Sequence, residues 1–227
     1  MIQKKPIQNE PIQPEPTMEI YRLLFDAYGP CHWWPAENPF EVMIGALLTQ
    51  NTNWQNVEKA ISNLKSADML SADAIAACEL SRLETLIRPS GYFRQKASRL
   101  KTLCRFYLQH GEMDGLTGMD TTSLRQDLLS LNGVGPETAD SILLYALDRP
   151  IFVIDAYTRR IFARLGLTST EAAYYELQDY FSSHLPSDAR LFNEYHALIV
   201  VHAKQHCRLH ADCAGCPLGQ ICSASQI

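Results

Sequence analysis

Residues 131–160 read LNGVGPETADSILLYALDRPIFVIDAYTRR. Apolar residues stand three and four apart both before the Gly133-Val134-Gly135 turn (Leu124, Leu128, Leu131) and after it (Ala139, Ile142, Leu143, Ala146). That is the period of a helix face. Pro136 suits the first turn of the second helix, where a missing N–H is no loss. The segment is therefore predicted as helix–hairpin–helix. Gly133 and Gly135 allow positive φ and a close approach of the backbone to a partner. The N–H groups that open the second helix sit at the positive end of its dipole and suit a DNA phosphate. Taken alone, Gly-Val-Gly is equally well a plain turn between two helices.

The next stretch separates these readings. The apolar run Ile151–Ile154 ends at Asp155, where an amphipathic helix begins. Asp155 is a good N-cap, and capping alone is one account of it. However, an LNGVGxxTA hairpin followed by V-I-D at a helix start resembles the helix-hairpin-helix (HhH-GPD) DNA glycosylase superfamily, in its endonuclease III-like branch. The resemblance spans residues 21–222. It implies an all-α, two-lobed fold and a partner that is double-stranded DNA with a damaged base. It also implies Asp155 as the catalytic carboxylate, with Gly133, Val134 and Gly135 against the DNA backbone.

The flanking segments extend the pattern. Residues 39–50, PFEVMIGALLTQ, form an apolar helix that ends in a dense amide cluster. In the family a similar helix ends in S/T-Q-x-T, and its Gln fills the hole left by a flipped nucleotide. Gln50 matches that position, with Asn51 beside it. A helix C-cap is the plain alternative. Upstream, Trp33-Trp34-Pro35 is not regular helix, because the residue before proline avoids that region. The tryptophans either plug a gap between helices or stack on an extruded base, and a cationic base gains about 1–2 kcal/mol from such rings once water is excluded. The segment Gly91–Ala97 resembles the family's start of a long helix, here 92–109, carrying Lys96.

Further helices are expected at 18–28, 54–64, two within 71–87, 122–130, 156–165, 170–182 and 189–205. Residues 111–121 read as a loop, and residues 1–17, rich in Pro, Gln and charge, as a flexible tail. No stretch alternates as a strand does. One lobe is expected from 39–150, the other from 18–38 joined to 151–227, with the damaged base in the cleft between them. The chain is expected to act as a monomer.

The 227 residues, 46% of them hydrophobic, provide ample core for one or two compact units. No run is long and apolar enough for a membrane span, and a cytoplasmic location on nucleoid DNA is the default. The net charge of −5 does not by itself mark a DNA binder. Positive charge gathers in Arg94, Lys96, Arg99, Lys101 and Arg105, and again in Arg159, Arg160 and Arg164. These are expected either to form a basic stripe that includes Arg159 or to be two solvated helix faces.

Seven cysteines are present, four of them in Cys207-x5-Cys213-x2-Cys216-x5-Cys222. Four thiolates this close suit one metal centre rather than disulfides in a reducing compartment. Spacing does not choose between tetrahedral zinc and an iron–sulfur cluster. The resemblance implies a [4Fe–4S] cluster, since endonuclease III-like proteins end in C-x6-C-x2-C-x5-C. Here the first gap is one residue shorter. A cluster would be structural and would bring Lys204 toward DNA phosphates.

The decisive departure is Glu137. Bifunctional members carry Lys at this place in the hairpin, and its amine forms a Schiff base with the sugar. Glu137 cannot do so, which points to a monofunctional glycosylase that uses water. Trp-Trp-Pro, Leu-Leu-Thr-Gln-Asn-Thr and Glu137 together resemble the 3-methyladenine DNA glycosylase III subgroup. That implies alkylated purines in a pocket of Trp33, Trp34, Pro35 and Glu137. The competing readings are a glycosylase for oxidised or mismatched pyrimidines, with or without AP-lyase activity, a non-catalytic helix-hairpin-helix DNA-binding module, and a zinc-loop interaction protein.

Overall fold

The hairpin's two helices bury their apolar faces in one core, and the chain on either side of that core builds a second. In the computed structural model, which describes residues 16–226, the helices are α1 (Pro16–Tyr28), α2 (Pro39–Leu48), α3 (Trp54–Ser66), α4 (Ala72–Ala77), α5 (Leu80–Leu86) and α6 (Phe93–Gln109). They continue as α7 (Glu112–Gly118), α8 (Thr121–Ser130), α9 (Pro136–Ser141), α10 (Ala156–Arg164), α11 (Tyr174–His184) and α12 (Ala189–Gln205). The fold is all-α, with no strand among the described residues. Residues 151–154 are extended and unpaired, and they carry the chain from the hairpin to Asp155.

Two apolar cores form. The first gathers α2, α3, α6, α8 and α9 around Met43, Leu47, Leu100 and Leu143. The second joins Ile20 and Leu24 of α1 to Phe152, Phe162, Phe181, Tyr195 and Leu198. Phe152 and Phe181 stack at 3.9 Å between ring centroids, and Phe162 meets Phe181 edge-on at 4.5 Å. After Ser141 the hairpin's second helix widens into a π-helical turn over Ile142–Ala146. There Leu143 faces the first core and Leu144 the second. Such turns re-aim side chains within a helix, and this one sends Tyr145 toward α12.

Several sequence expectations need correction. Residues 1–15 of the expected tail lie outside the described residues. Pro16 and Thr17 are helical, because Thr17 is anchored: Tyr195 Oη donates to its carbonyl at 2.7 Å, and its hydroxyl meets Tyr180 Oη at 2.9 Å. Within the expected loop 111–121, residues Glu112–Gly118 form α7, started by Gly111 at φ 79° and held by the fully buried Leu116. Helix α11 begins at Tyr174 rather than at 170. In the hairpin only Gly133 takes positive φ, at 85°; Gly135 is extended at φ −93°.

Asp140, wholly buried on α9, joins the parts. Arg125 of α8 grips it with two hydrogen bonds at 2.6 and 2.9 Å. Tyr174 and Gln178 of α11 each donate to it at 2.8 Å. The hairpin is thereby fastened to the second core.

Candidate active site and cysteine loop

Asp155 caps α10. Its Oδ1 accepts from the Thr158 backbone N–H at 2.7 Å and the Thr158 hydroxyl at 2.8 Å. Oδ2 is not part of that cap, and Asp155 lines a cavity of about 170 Å³ between the two cores. The wall opposite is aromatic. Trp34 meets Trp54 edge-on at 5.0 Å and lies 5.2 Å from Tyr145, with Trp33 6.0 Å away. Gly45 makes room for this packing, since a Cβ there would lie 3.3 Å from the Trp34 ring. Lys204 extends its ammonium to 5.9 Å from the Trp33 ring and also lines the cavity. Such cation–ring contacts attract through the ring quadrupole.

Glu137 stands at the mouth of the same cavity, with part of its side chain open to solvent. The surrounding protein and, secondarily, Asp155 raise its pKa from 4.5 to about 7. A carboxyl whose pKa is raised on folding favours the folded state while protonated. That stability is fully present below about 4.5 and is lost as pH climbs to about 7. We therefore expect the melting temperature of Glu137→Gln to gain on that of the native protein across this window and then to run parallel. A constant difference from pH 4 to 8 would contradict the raised pKa.

The other sequence-selected residues divide. Trp33, Trp34, Gln50, Glu137, Asp155 and Lys204 share the cavity. Pro35 does not; it is exposed and lines a neighbouring hollow behind Trp34. Gln50 is held by the hairpin, donating to Gly133 O and Thr138 Oγ1, both at 2.9 Å, and accepting from Arg99 at 2.8 Å. Entering a DNA stack requires it to leave all three bonds. Asn51 is exposed just beyond, at φ 52°. Gly133 lies under Arg99, whose Nε would be 2.0 Å from any added Cβ.

Val134 is a correction. Its side chain is buried and its N–H donates to Leu131 O, so it faces inward. Lys96 is another. It is 1% exposed, and its ammonium donates to Leu48 O at 2.8 Å and Ser90 O at 2.6 Å, out of reach of any phosphate. The basic stripe is likewise turned largely to internal carbonyls. Arg159 donates to Ala172 O, Arg160 to Cys207 O, and Lys101 to Cys78 O. Sequence reading passed over Trp54, Tyr145 and His196, which also line the cavity. Their helical spacing carries no signal beyond ordinary packing.

The four clustered cysteines surround a second cavity of about 240 Å³, together with His202 and His206. All are free thiols. Among the described residues no three His, Cys, Asp or Glu side chains converge closely enough to hold a single ion. Four thiols with His202 and His206 around one mostly apolar hollow are a donor set of the kind that zinc or an iron–sulfur cluster accepts. Arg164 braces it, donating to Cys207 Sγ at 3.2 Å and to Arg208 O and Leu209 O at 2.6 and 2.8 Å.

A two-lobed helical fold with a hairpin on one lobe and a capping carboxylate on the other, both facing one cleft, defines a class of DNA-repair proteins. Residues 44–186 match the model of the HhH-GPD superfamily of base excision DNA repair proteins, and the chain belongs to that family. It is 50% identical over 211 residues to a candidate DNA repair glycosylase of Methanocaldococcus jannaschii, MJ1434, covering 92% of this chain and 96% of the relative. Among solved structures it is similar to the Helicobacter pylori 3-methyladenine DNA glycosylase bound to 1,N6-ethenoadenine, at TM-score 0.74 and 32% identity, covering 83% of this chain and 97% of that one. An endonuclease III–DNA covalent intermediate shares the fold at TM-score 0.81 and 22% identity, covering 95% of this chain and 98% of that one. Among the described residues no helix is long and apolar enough to cross a membrane.

Proposed function

We propose that this protein is a monofunctional DNA glycosylase that hydrolyses the N-glycosidic bond of a flipped alkylated purine, such as 3-methyladenine, in double-stranded DNA. The observation that carries the reading is the Asp155 carboxylate, with one oxygen anchored by Thr158 and the other left outside the cap, in the lining of an aromatic-walled cavity. Breaking the bond gives the sugar oxocarbenium character. A fixed negative charge beside it stabilises that state most where water is excluded. In this reading Asp155 Oδ2 also orients the attacking water. An alkylated purine of this kind is already cationic and departs without a general acid, so the pocket has only to admit and stack it. Trp33 and Trp34 suit that task. The likeness to the Helicobacter pylori enzyme supports the same substrate class.

Glu137 replaces the amine that a lyase mechanism requires, and it cannot form an imine. Near neutral pH it is partly protonated, which limits its repulsion of Asp155. In this reading Cys207, Cys213, Cys216 and Cys222 hold a [4Fe–4S] cluster. Bound there, it supplies a rigid clamp that ties the end of α12 to the loop beyond it.

Incubation with a methylated duplex should release free 3-methyladenine, and borohydride should trap no protein–DNA adduct. Release from oxidised or mismatched pyrimidines but not from methylated DNA would overturn the substrate. A trapped adduct would overturn the water mechanism.

A further inference from the structure

His196 lies on α12 in a run of buried residues, and nothing in its surroundings along the chain marks it for chemistry. In space it forms part of the cavity beside Asp155. The residue is 6% exposed. One ring nitrogen, Nδ1, meets Tyr145 Oη at 2.5 Å. The other, Nε2, has no hydrogen-bond partner and lies 3.6 Å from Asp155 Oδ2. Orphaned buried polar atoms are rare in folded proteins, and this one points at the oxygen that the helix cap leaves free.

We propose that His196 is a positioning residue for Asp155, with Tyr145 fixing its ring so that Nε2–H holds Oδ2 toward the bound sugar. The inference rests on the reading of Asp155 as the glycosylase carboxylate. The direction of the relay follows from donor counting. Burial, with the Asp155 charge adding to it, raises the Tyr145 pKa well above its ordinary value, so the phenol keeps its proton. His196 Nδ1 is the hydrogen-bond partner that the structure gives that proton. Burial, partly opposed by the Asp155 charge, lowers the His196 pKa, so near neutral pH the ring is uncharged and carries one proton. With Nδ1 accepting, that proton sits on Nε2, facing Oδ2.

The contact is longer than a hydrogen bond. Contacts of this kind tighten when substrate fills a site. The other ionisable groups facing the cavity are Glu137 from α9, Tyr157 from α10 and Lys204 from α12. None of them is hydrogen-bonded to Oδ2.

The test uses the full chain and its His196→Leu, His196→Gln and Tyr145→Phe variants. Four quantities are measured: single-turnover base release from methylated duplex, affinity for a duplex with an abasic-site analogue, the pH–rate profile, and ring nitrogen shifts by NMR. His196→Leu should slow release by about 10- to 100-fold, the scale of one lost hydrogen bond to a charged group. Duplex affinity should stay within about twofold, since no phosphate contact is touched. The acid limb of the profile should move to higher pH. Gln, which can present an N–H near the same point, should recover much of the rate. The native ring should report the Nε2–H tautomer, and Tyr145→Phe should relax it to a mixture.

Unchanged rate and profile in His196→Leu, or an Nδ1–H tautomer in the native protein, would overturn the assignment. So would a loss of rate, affinity and thermal stability together that Gln does not recover. If the native protein releases no base, the glycosylase reading falls, and the tautomer still decides whether His196 holds Asp155.

Discussion

Asp155→Asn should leave the protein folded and slow base release by about 100- to 1,000-fold, the scale of losing one preorganised electrostatic contact to a developing charge. Asparagine is as good a helix cap as aspartate. Its side-chain oxygen can keep both bonds that Asp155 Oδ1 accepts from Thr158. The substitution therefore keeps the cap, removes the negative charge, and turns an amide N–H in place of the oxygen toward His196 Nε2. Affinity for duplex DNA should hold or rise, because an anion has left a site built for a polyanion. Asp155→Ala makes the contrast. It should lose the same activity and in addition about 0.5–2 kcal/mol of stability, since the cap goes as well. If Asp155→Asn releases base within a few-fold of the native rate, the carboxylate has no part in the chemistry.

The second large effect falls on stability. Asp140→Ala should destabilise the protein by about 3–5 kcal/mol, the cost of breaking a buried ion pair on one side. Arg125 would lose both of its bonds to the carboxylate, and Tyr174 and Gln178 would each lose an acceptor. Domains are marginal by about 5–15 kcal/mol, so such a loss is a large share of the total. Urea titration measures it directly. Asp140→Asn should cost less, since an amide oxygen still accepts from Tyr174. A loss under about 1 kcal/mol for the alanine variant would mean that the network contributes little beyond packing.

The elements that could be read from sequence were those in which local chemistry and distant contacts agree. The hairpin announces itself through helical spacing on both sides of Gly133, and Asp155 through its place at a helix start. The aromatic wall was half visible, because Trp33-Trp34-Pro35 breaks helical pattern while Trp54 sits on an ordinary amphipathic helix. Lys96 shows the reverse case. Its position looks solvent-facing, yet the carbonyls of Leu48 and Ser90 need a donor and draw the ammonium inward. The expected loop at 111–121 hid α7, because its glycines and polar residues outweigh the single buried Leu116 that folds it. Tyr145 and His196 were illegible for a different reason. They stand 51 positions apart, each in a setting that accounts for it as core, and only the packing of α12 on the π turn brings them together.

The second core is built from both sides of the first. Ile20 and Leu24 close on Leu198, Ile199 and Leu218, and Thr17 is bolted to Tyr180 and Tyr195. During synthesis α1 therefore leaves the ribosome with its apolar stripe uncovered until α11 and α12 have emerged. The intervening helices can collapse meanwhile on their own neighbours. A nascent chain that ends before α11 therefore carries the hairpin and Asp155 without the packing that completes the second core.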